Sequence, residues 1–166
     1  MDAGLLLARM VLGLLIAAHG AQKLFGWFGG HGIAATGGFF ESLGFRPGRF
    51  FAAAAGTTEV AGGLLVALGL LGPLGPAMIV ATMIVAIATV HWAHGVFAQN
   101  NGFELPLTYA AVAAALGLIG YGAYSIDALL QLSWSDGVAW MVLALGVLGG
   151  FANLLVRKAT PAEAHV

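Results

Sequence analysis

Long apolar runs, separated by short stretches rich in polar residues, glycine or proline, dominate this sequence. They cover about residues 3–22, 50–71, 76–94, 107–124 and 137–156. A helix needs roughly 20 apolar residues to cross the hydrocarbon core of a bilayer. The runs are continuous rather than alternating, which favours helices over the strands of a barrel. The pattern therefore predicts an all-α, polytopic transmembrane helix bundle that forms a single membrane domain over residues 1–166.

The segment between the first two runs, about residues 23–48, is neither long nor apolar enough to cross a membrane. It begins inside HGAQKLFGWFGGHG (19–32) and is rich in glycine and phenylalanine. Aromatic side chains such as Trp27 and Phe28 suit a position in the interface. Irregular backbone at membrane depth survives only where protein or a cavity covers it. We therefore expect an interfacial or re-entrant segment, bent at its glycines, and the sequence leaves open whether it covers a ligand.

Composition supports a bilayer environment and excludes several classes of function. The chain is 60% hydrophobic and 8% charged, with a mean hydropathy of +0.96, which is too little charge to cover a soluble domain. A formal net charge of −1 gives no indication of nucleic-acid binding. The chain has no cysteine, so disulfides, dithiol chemistry and thiolate metal sites are excluded for this chain alone. The first run lacks a basic start and a cleavage site, so we interpret it as a helix rather than a signal peptide.

Five spans would distribute the polar residues unevenly between the two membrane faces. We call the face of the N-terminus side A and the face that follows the first span side B. The excess of lysine and arginine at side B predicts that side B, with the C-terminus, lies in the cytoplasm. Most ionisable residues fall on or near side B: His19, Lys23, His31, Glu41, Arg46, Arg49, His91, His94, Glu104, Arg157 and Lys158.

Two charged residues lie at greater depth. Glu59 is expected roughly 13 Å from side B and Arg9 roughly 9 Å from side A, at 1.5 Å per helical residue. Charges at such depth are costly and usually face the bundle interior with a partner. Arg9 and Glu59 would then pair, or Arg9 would extend to side A. The short Glu59 carboxylate cannot reach water, so Glu59 is the strongest candidate for a functional group.

Three histidines lie near the same face. His19 flanks a polar seam on the first span that includes Arg9 and Lys23, while His91 and His94, three residues apart, share a side of the third span. They could converge with Glu59 near side B. Three interpretations remain: polar caps at span ends, proton-handling groups for quinone or substrate chemistry, or haem ligation by His19 and a third-span histidine. No motif for a metal site accompanies His91 and His94.

The sequence resembles the DoxX family of small bacterial membrane proteins from about Leu5 to Leu129. The resemblance rests on ARMVLGLLIAAHGAQKLFGWFGG (8–30), TTEVAGGLLVALGLL (57–71) and GYGAYSIDALL (120–130). The positions that match the family pattern are Arg9, Gly13, Gly20, Lys23, Glu59, Gly63, His91, Ser125 and Asp127.

The resemblance implies a four-helix core in the bacterial plasma membrane, with the fifth, C-terminal span as an extension. Some relatives are associated with thiosulfate oxidation coupled to quinone, and others with a membrane oxidoreductase complex that handles oxidative stress. More distant relatives act as chaperones or cargo receptors. The family has no established catalytic residues, so the resemblance carries none over to this chain.

Two functional hypotheses follow. In the first, the chain is a quinone-linked membrane subunit in which Glu59 and His91 exchange protons. The remaining candidates would bind the ligand or stabilise negative charge, and a partner redox protein would supply electrons. In the alternative, the chain is a non-catalytic accessory or assembly subunit of a larger respiratory-type complex. A transporter is disfavoured because no inverted repeat is visible and a bundle this small would have to form a homo-oligomer. The candidate ligand-binding residues are Arg9, His19, Lys23 and His94.

Overall fold

A computed structural model describes residues 1–158 of the chain. The described residues form seven α-helices joined by short 3-10 turns and loops, and they contain no β-strand. The helices are α1 (Asp2–Phe25), α2 (Gly32–Ser42), α3 (Gly48–Leu68), α4 (Leu74–Ala86), α5 (Glu104–Ile119), α6 (Ile126–Leu129) and α7 (Asp136–Leu155).

Four helical stretches in this part of the chain are long and apolar enough to cross a membrane. They are α1, α3, α7 and the stretch Leu74–His94 that begins with α4. The predicted all-α polytopic bundle is therefore confirmed. The predicted fourth span, 107–124, differs from the structure, because α5 begins at Glu104 and has only 16 residues. It ends where Gly120 adopts a φ of 86°, a left-handed conformation that favours glycine.

Glycines bring α1 and α3 into backbone contact. A Cβ atom built on Gly13 would lie 2.5 Å from the carbonyl oxygen of Gly63, and one on Gly20 would lie 2.5 Å from that of Gly56. The two contacts are seven residues apart on both helices, so α1 and α3 run antiparallel in a fixed register. Close approach through small residues is a common way for membrane helices to associate. This crossing determines which polar residues of α1 meet those of α3.

The second half of the bundle is organised around α4, which packs against α3, α5 and α7. Fully buried side chains such as Ile16, Val66 and Ile79 form a continuous core with Ala113 and Leu116. The outer faces carry exposed apolar side chains, which suit lipid contact. On α7 these are Trp140, Met141, Leu145, Leu148, Phe151 and Leu155.

The segment between α1 and α3 is bent at glycines and also contains a helix. A short 3-10 turn, Trp27–Gly29, is followed by the 11-residue helix α2. Gly26, Gly29 and Gly32 have positive φ angles, as expected for a segment bent at its glycines. The helix α2 packs against the start of α3, where a Cβ on Gly48 would clash with the carbonyl oxygen of Gly37.

The end of α7 returns to the level of the turn between α2 and α3. The amide N–H of Lys158 donates to the carbonyl oxygen of Gly44 at 2.9 Å, and Nε of Arg157 donates to that of Leu43 at 2.5 Å. The chain therefore passes through the bundle five times, and residues 157 and 158 lie at side B. The C-terminus itself, whose placement the sequence predicted, lies outside the described residues.

Candidate functional site

A lysine and a glutamate form an ion pair inside the bundle. Nζ of Lys23 lies 2.5 Å from Oε2 of Glu59, and the two side chains are 26% and 6% exposed. In an α-helix each Cα–Cβ bond leans toward the N-terminus. Because α1 and α3 run antiparallel, Lys23 leans inward from side B while Glu59 leans toward side B. The two side chains therefore meet although their backbone positions lie at different depths.

Arg9 does not neutralise Glu59, so the pairing considered from the sequence is wrong. Its side chain lies opposite Ala67, near side A, and donates from Nη1 to the Ala67 carbonyl oxygen at 2.9 Å. Nη2 donates to the carbonyl oxygen of Tyr124. The residue is only 2% exposed, so the alternative in which Arg9 extends to the membrane surface is also wrong.

His91 lies at the end of a π-helical turn, Ile87–His91, that widens the helix continuing from α4. Single π turns within α-helices are rare and are frequent at functional sites. Nδ1 of His91 lies 2.7 Å from the carbonyl oxygen of Asn101. A carbonyl oxygen only accepts, so Nδ1 carries the proton. The neutral ring therefore has Nε2 as its proton acceptor.

The ring of His19, on α1, is also held by a backbone carbonyl oxygen. Its Nδ1 lies 2.8 Å from the carbonyl oxygen of Leu15, which again leaves Nε2 as the acceptor in the neutral ring. The ring contacts Tyr109 of α5 edge to face, with 6.2 Å between ring centroids. His19 is exposed at the bundle surface, so it connects the interior to the side-B end of the α1–α5 boundary.

These side chains surround one cavity of about 180 Å³, which we call the Glu59 cavity. The sequence indicated that His19, Glu59, His91 and His94 could converge near side B, and the structure brings the first three together with Lys23. Tyr109 was not identified from the sequence, although a tyrosine one turn after Pro106 was a visible signal in an otherwise apolar run. The lining residues are Ile16, His19, Lys23, Glu59, Met83, Ala86, His91, Leu105, Pro106 and Tyr109.

His94 and Arg9 do not line the Glu59 cavity. His94 is exposed, and its Nδ1 lies 2.9 Å from the carbonyl oxygen of Val90. The helix changes from the π turn to a 3-10 turn at Trp92–His94. Of the two third-span histidines, only His91 therefore lines the cavity.

A second polar cluster lies at side A, and from the sequence only its match to the family pattern was visible. The Asp127 carboxylate accepts from the backbone N–H groups of Leu71 and Gly72, at 2.8 and 2.7 Å. It also accepts from Nε1 of Trp134 at 2.9 Å. Ser125 caps α6 by accepting from the Ala128 N–H at 3.1 Å. We call these contacts the side-A clamp, and a Ser-x-Asp pattern at a helix start was the signal that could have identified it.

Tyr121, in the loop after α5, lines one cavity with Asp127 and Trp134 of the side-A clamp. This tyrosine is 4% exposed. The three hydrogen bonds that the Asp127 carboxylate accepts indicate a structural role for this end of the bundle.

The predicted sites differ in their chemical capacity. Across residues 1–158 no group of three or more histidine, aspartate or glutamate side chains has the arrangement of a metal site. The Glu59 cavity combines an acid, a cation and two imidazoles within an apolar surround, so it offers hydrogen-bond donors and proton acceptors to a small organic ligand.

More than half of the chain matches a known protein family. The DoxX family model matches residues 4–92, which is more than half of the chain. The chain belongs to the DoxX family. In this DoxX protein the matched segment includes the ion pair and both cavity histidines. It is shorter than the resemblance to about Leu129 expected from the sequence, and it leaves Tyr109, Ser125, Asp127 and Trp134 outside.

No curated protein and no solved structure matches this DoxX protein significantly.

Proposed function

We propose that this DoxX protein is a quinone-linked membrane subunit that binds a quinone headgroup in the Glu59 cavity. One observation carries the proposal: a carboxylate, an ammonium and two imidazoles line a single cavity within an apolar bundle. Ionisable residues inside membrane proteins usually face the interior and mark pathways for substrates, ions or protons.

The size and lining of the cavity fit a single substituted ring. Pockets for drug-sized ligands begin at roughly 300 Å³, whereas the Glu59 cavity has about 180 Å³. A headgroup would therefore fill it, while a porphyrin exceeds it, which favours quinone over the haem interpretation. Apolar side chains such as Ile16, Met83 and Pro106 offer contacts for the ring faces.

The polar side chains have distinct roles in this proposal. A bound quinone supplies a redox couple that takes up electrons together with protons. The Lys23 ammonium donates to a carbonyl oxygen of the headgroup and balances negative charge there. His91 and Glu59 exchange protons with the ligand, because Nε2 is the acceptor atom of a His91 ring whose Nδ1 is held by the Asn101 carbonyl oxygen.

Electrons must reach the cavity from another protein. The chain has no cysteine and shows no flavin or iron–sulfur motif. We therefore propose a redox partner within a larger membrane complex. Arg9 and His94, candidates from the sequence, lie outside the cavity, so the proposal gives them no contact with the ligand.

We further propose that the protein resides in the bacterial plasma membrane with side B in the cytoplasm. The support is the accumulation of basic residues at the side-B end of the bundle, following the positive-inside rule. These residues are Arg46, Arg49, Arg157 and Lys158.

Binding of a tail-less benzoquinone to the purified protein in nanodiscs tests the proposal. Glu59→Gln and His91→Gln should each weaken binding by about tenfold, the size expected when a hydrogen bond involving a charged group is lost. His94→Gln is a matched control, because this histidine also bonds a backbone carbonyl but does not line the cavity. Its affinity should equal that of the wild type.

Absence of binding by the wild-type protein would overturn the proposal, as would equal effects of His91→Gln and His94→Gln. Stoichiometric co-purification with other subunits, combined with absence of quinone binding, would instead support the non-catalytic accessory function.

A further inference from the structure

A second cavity adjoins the Glu59 cavity along the boundary between α1 and α5. It has a volume of about 390 Å³, and we call it the α1–α5 groove. Tyr109 lines both cavities. The residues that line the groove are Gly4, Leu7, Ala8, Val11, Leu12, Leu15, Thr108, Tyr109 and Val112.

The groove and the Glu59 cavity follow one stripe of α1. Groove residues recur every three or four positions up to Leu15, and the same spacing continues with Ile16, His19 and Lys23 in the Glu59 cavity. Such spacing keeps side chains on one helical face. From Leu15 to Gly4 the groove extends about 16 Å toward side A at 1.5 Å per residue.

The lining of the groove suits a hydrocarbon chain. Thr108 and Tyr109 are its only side chains with a polar atom. The Thr108 hydroxyl donates to the Glu104 carbonyl oxygen at 2.8 Å, so it needs no other partner. At the far end, a Cβ built on Gly4 would meet no atom within 4 Å, which leaves that end open.

We propose that the α1–α5 groove holds the isoprenoid tail of the same quinone whose headgroup lies in the Glu59 cavity. This inference rests on the proposed function and narrows the ligand class to lipid-soluble, long-tailed quinones. The inference rests on Tyr109, which lines both cavities. A tail that leaves the headgroup site past this ring enters the groove directly. The exposed His19 and the groove together define an entry route from the lipid.

The test uses a long-tailed quinone with a photoreactive diazirine at the end of its tail, bound to the full-length protein in nanodiscs. Irradiation and mass spectrometry should place the label on residues 4–12 of α1 or on Val112 of α5. Excess unlabelled long-tailed quinone should abolish this labelling. Label distributed over the outward face of α7, at Leu145 or Leu148, would overturn the groove assignment.

A pair of substitutions on α1 provides the matched control. Val11 lines the groove, whereas Leu14 does not, and the two residues are similarly exposed, at 53% and 50%. Val11→Phe should lower the affinity for the long-tailed quinone about fivefold or more, because the larger ring would occupy space that the tail needs. Leu14→Phe should leave that affinity unchanged, and neither should alter binding of the tail-less quinone.

The two proposals fail in different ways. If the wild type does not bind the tail-less quinone, the proposed function is wrong. If the tail-less quinone binds normally but Val11→Phe and Leu14→Phe have equal effects on the long-tailed one, only the groove assignment is wrong.

Discussion

At the scale of single residues, the buried carboxylate of Glu59 depends on the charge of Lys23, which lies in the last turn of α1. The Glu59 side chain is 6% exposed, and Lys23, 26% exposed, supplies the compensating charge. Removing one member of a buried ion pair is more damaging than removing both, because it leaves a charge without compensation. The pair therefore supports the bundle as well as the proposed ligand site.

Lys23→Met should consequently destabilise the protein more than the double variant Lys23→Met/Glu59→Gln. Breaking a fully buried pair costs roughly 3–5 kcal/mol, and the partial exposure of Lys23 should bring the loss toward or below the lower end. Titration with SDS, followed by intrinsic tryptophan fluorescence, measures the free energy of unfolding of each variant. Equal losses for the single and double variants would show that the carboxylate is not paired in this way.

Asp127 is the second residue with a decisive position, because one carboxylate accepts three hydrogen bonds from two separate loops. Asp127→Asn should lower the free energy of unfolding by roughly 2–4 kcal/mol, since hydrogen bonds to charged groups are worth about 1.5–3 kcal/mol each. Asp136→Asn serves as control, since Asp136 is exposed in the first turn of α7. The same SDS titration should show a much smaller loss for it.

At the scale of elements, the α1–α3 crossing fixes the site. Gly13 contacts Gly63 and Gly20 contacts Gly56 with no room for a side chain. This register places Lys23 within reach of Glu59 and places Arg9 opposite Ala67. A shift of one helical turn would separate the ion pair.

Gly63→Ala should therefore destabilise the bundle by about 1–3 kcal/mol, as overpacking typically does. A Cβ at this position would lie 2.5 Å from the Gly13 carbonyl oxygen. Gly149→Ala in α7 is the matched control, because its Cβ would meet nothing within 4 Å. Thermal unfolding in detergent should show a lower Tm for the first variant and no decrease for the second.

At the scale of the whole molecule, five passes place the two polar clusters at different depths. The Glu59 cavity lies toward side B, and the side-A clamp holds the opposite end through Ser125 and Asp127. The helix α5 has only 16 residues, about 24 Å of helix, and is shorter than the four candidate spans. The loop from Gly120 connects it to the side-A clamp.

This topology predicts opposite accessibility for two exposed serines. The natural chain contains no cysteine, so Ser42→Cys and Ser133→Cys each introduce a single thiol. In intact cells a membrane-impermeant maleimide should label Ser133→Cys, at side A, and should label Ser42→Cys, at side B, only after the membrane is permeabilised. The reverse pattern would invert the proposed orientation, and equal labelling of both in intact cells would contradict the five-pass arrangement.

The sequence by itself determined that the protein lies in a lipid bilayer, that it is helical and where most of the spans fall. Long apolar runs have few alternative structures in a bilayer. It also identified Glu59 as the buried acid, since depth along a helix follows directly from residue number. The sequence also indicated that His19, Glu59, His91 and His94 could meet near side B, and three of these four residues line the cavity.

Only the tertiary structure decided which residues meet. Pairing depends on helix register and rotation, which the backbone contacts between glycines fix and which a hydropathy pattern does not contain. The structure thus replaced Arg9 with Lys23 as the partner of Glu59. It left His94 outside the cavity that His91 lines. It also placed the helix α2 within the glycine-rich segment after α1, with Gly37 in close contact with the start of α3.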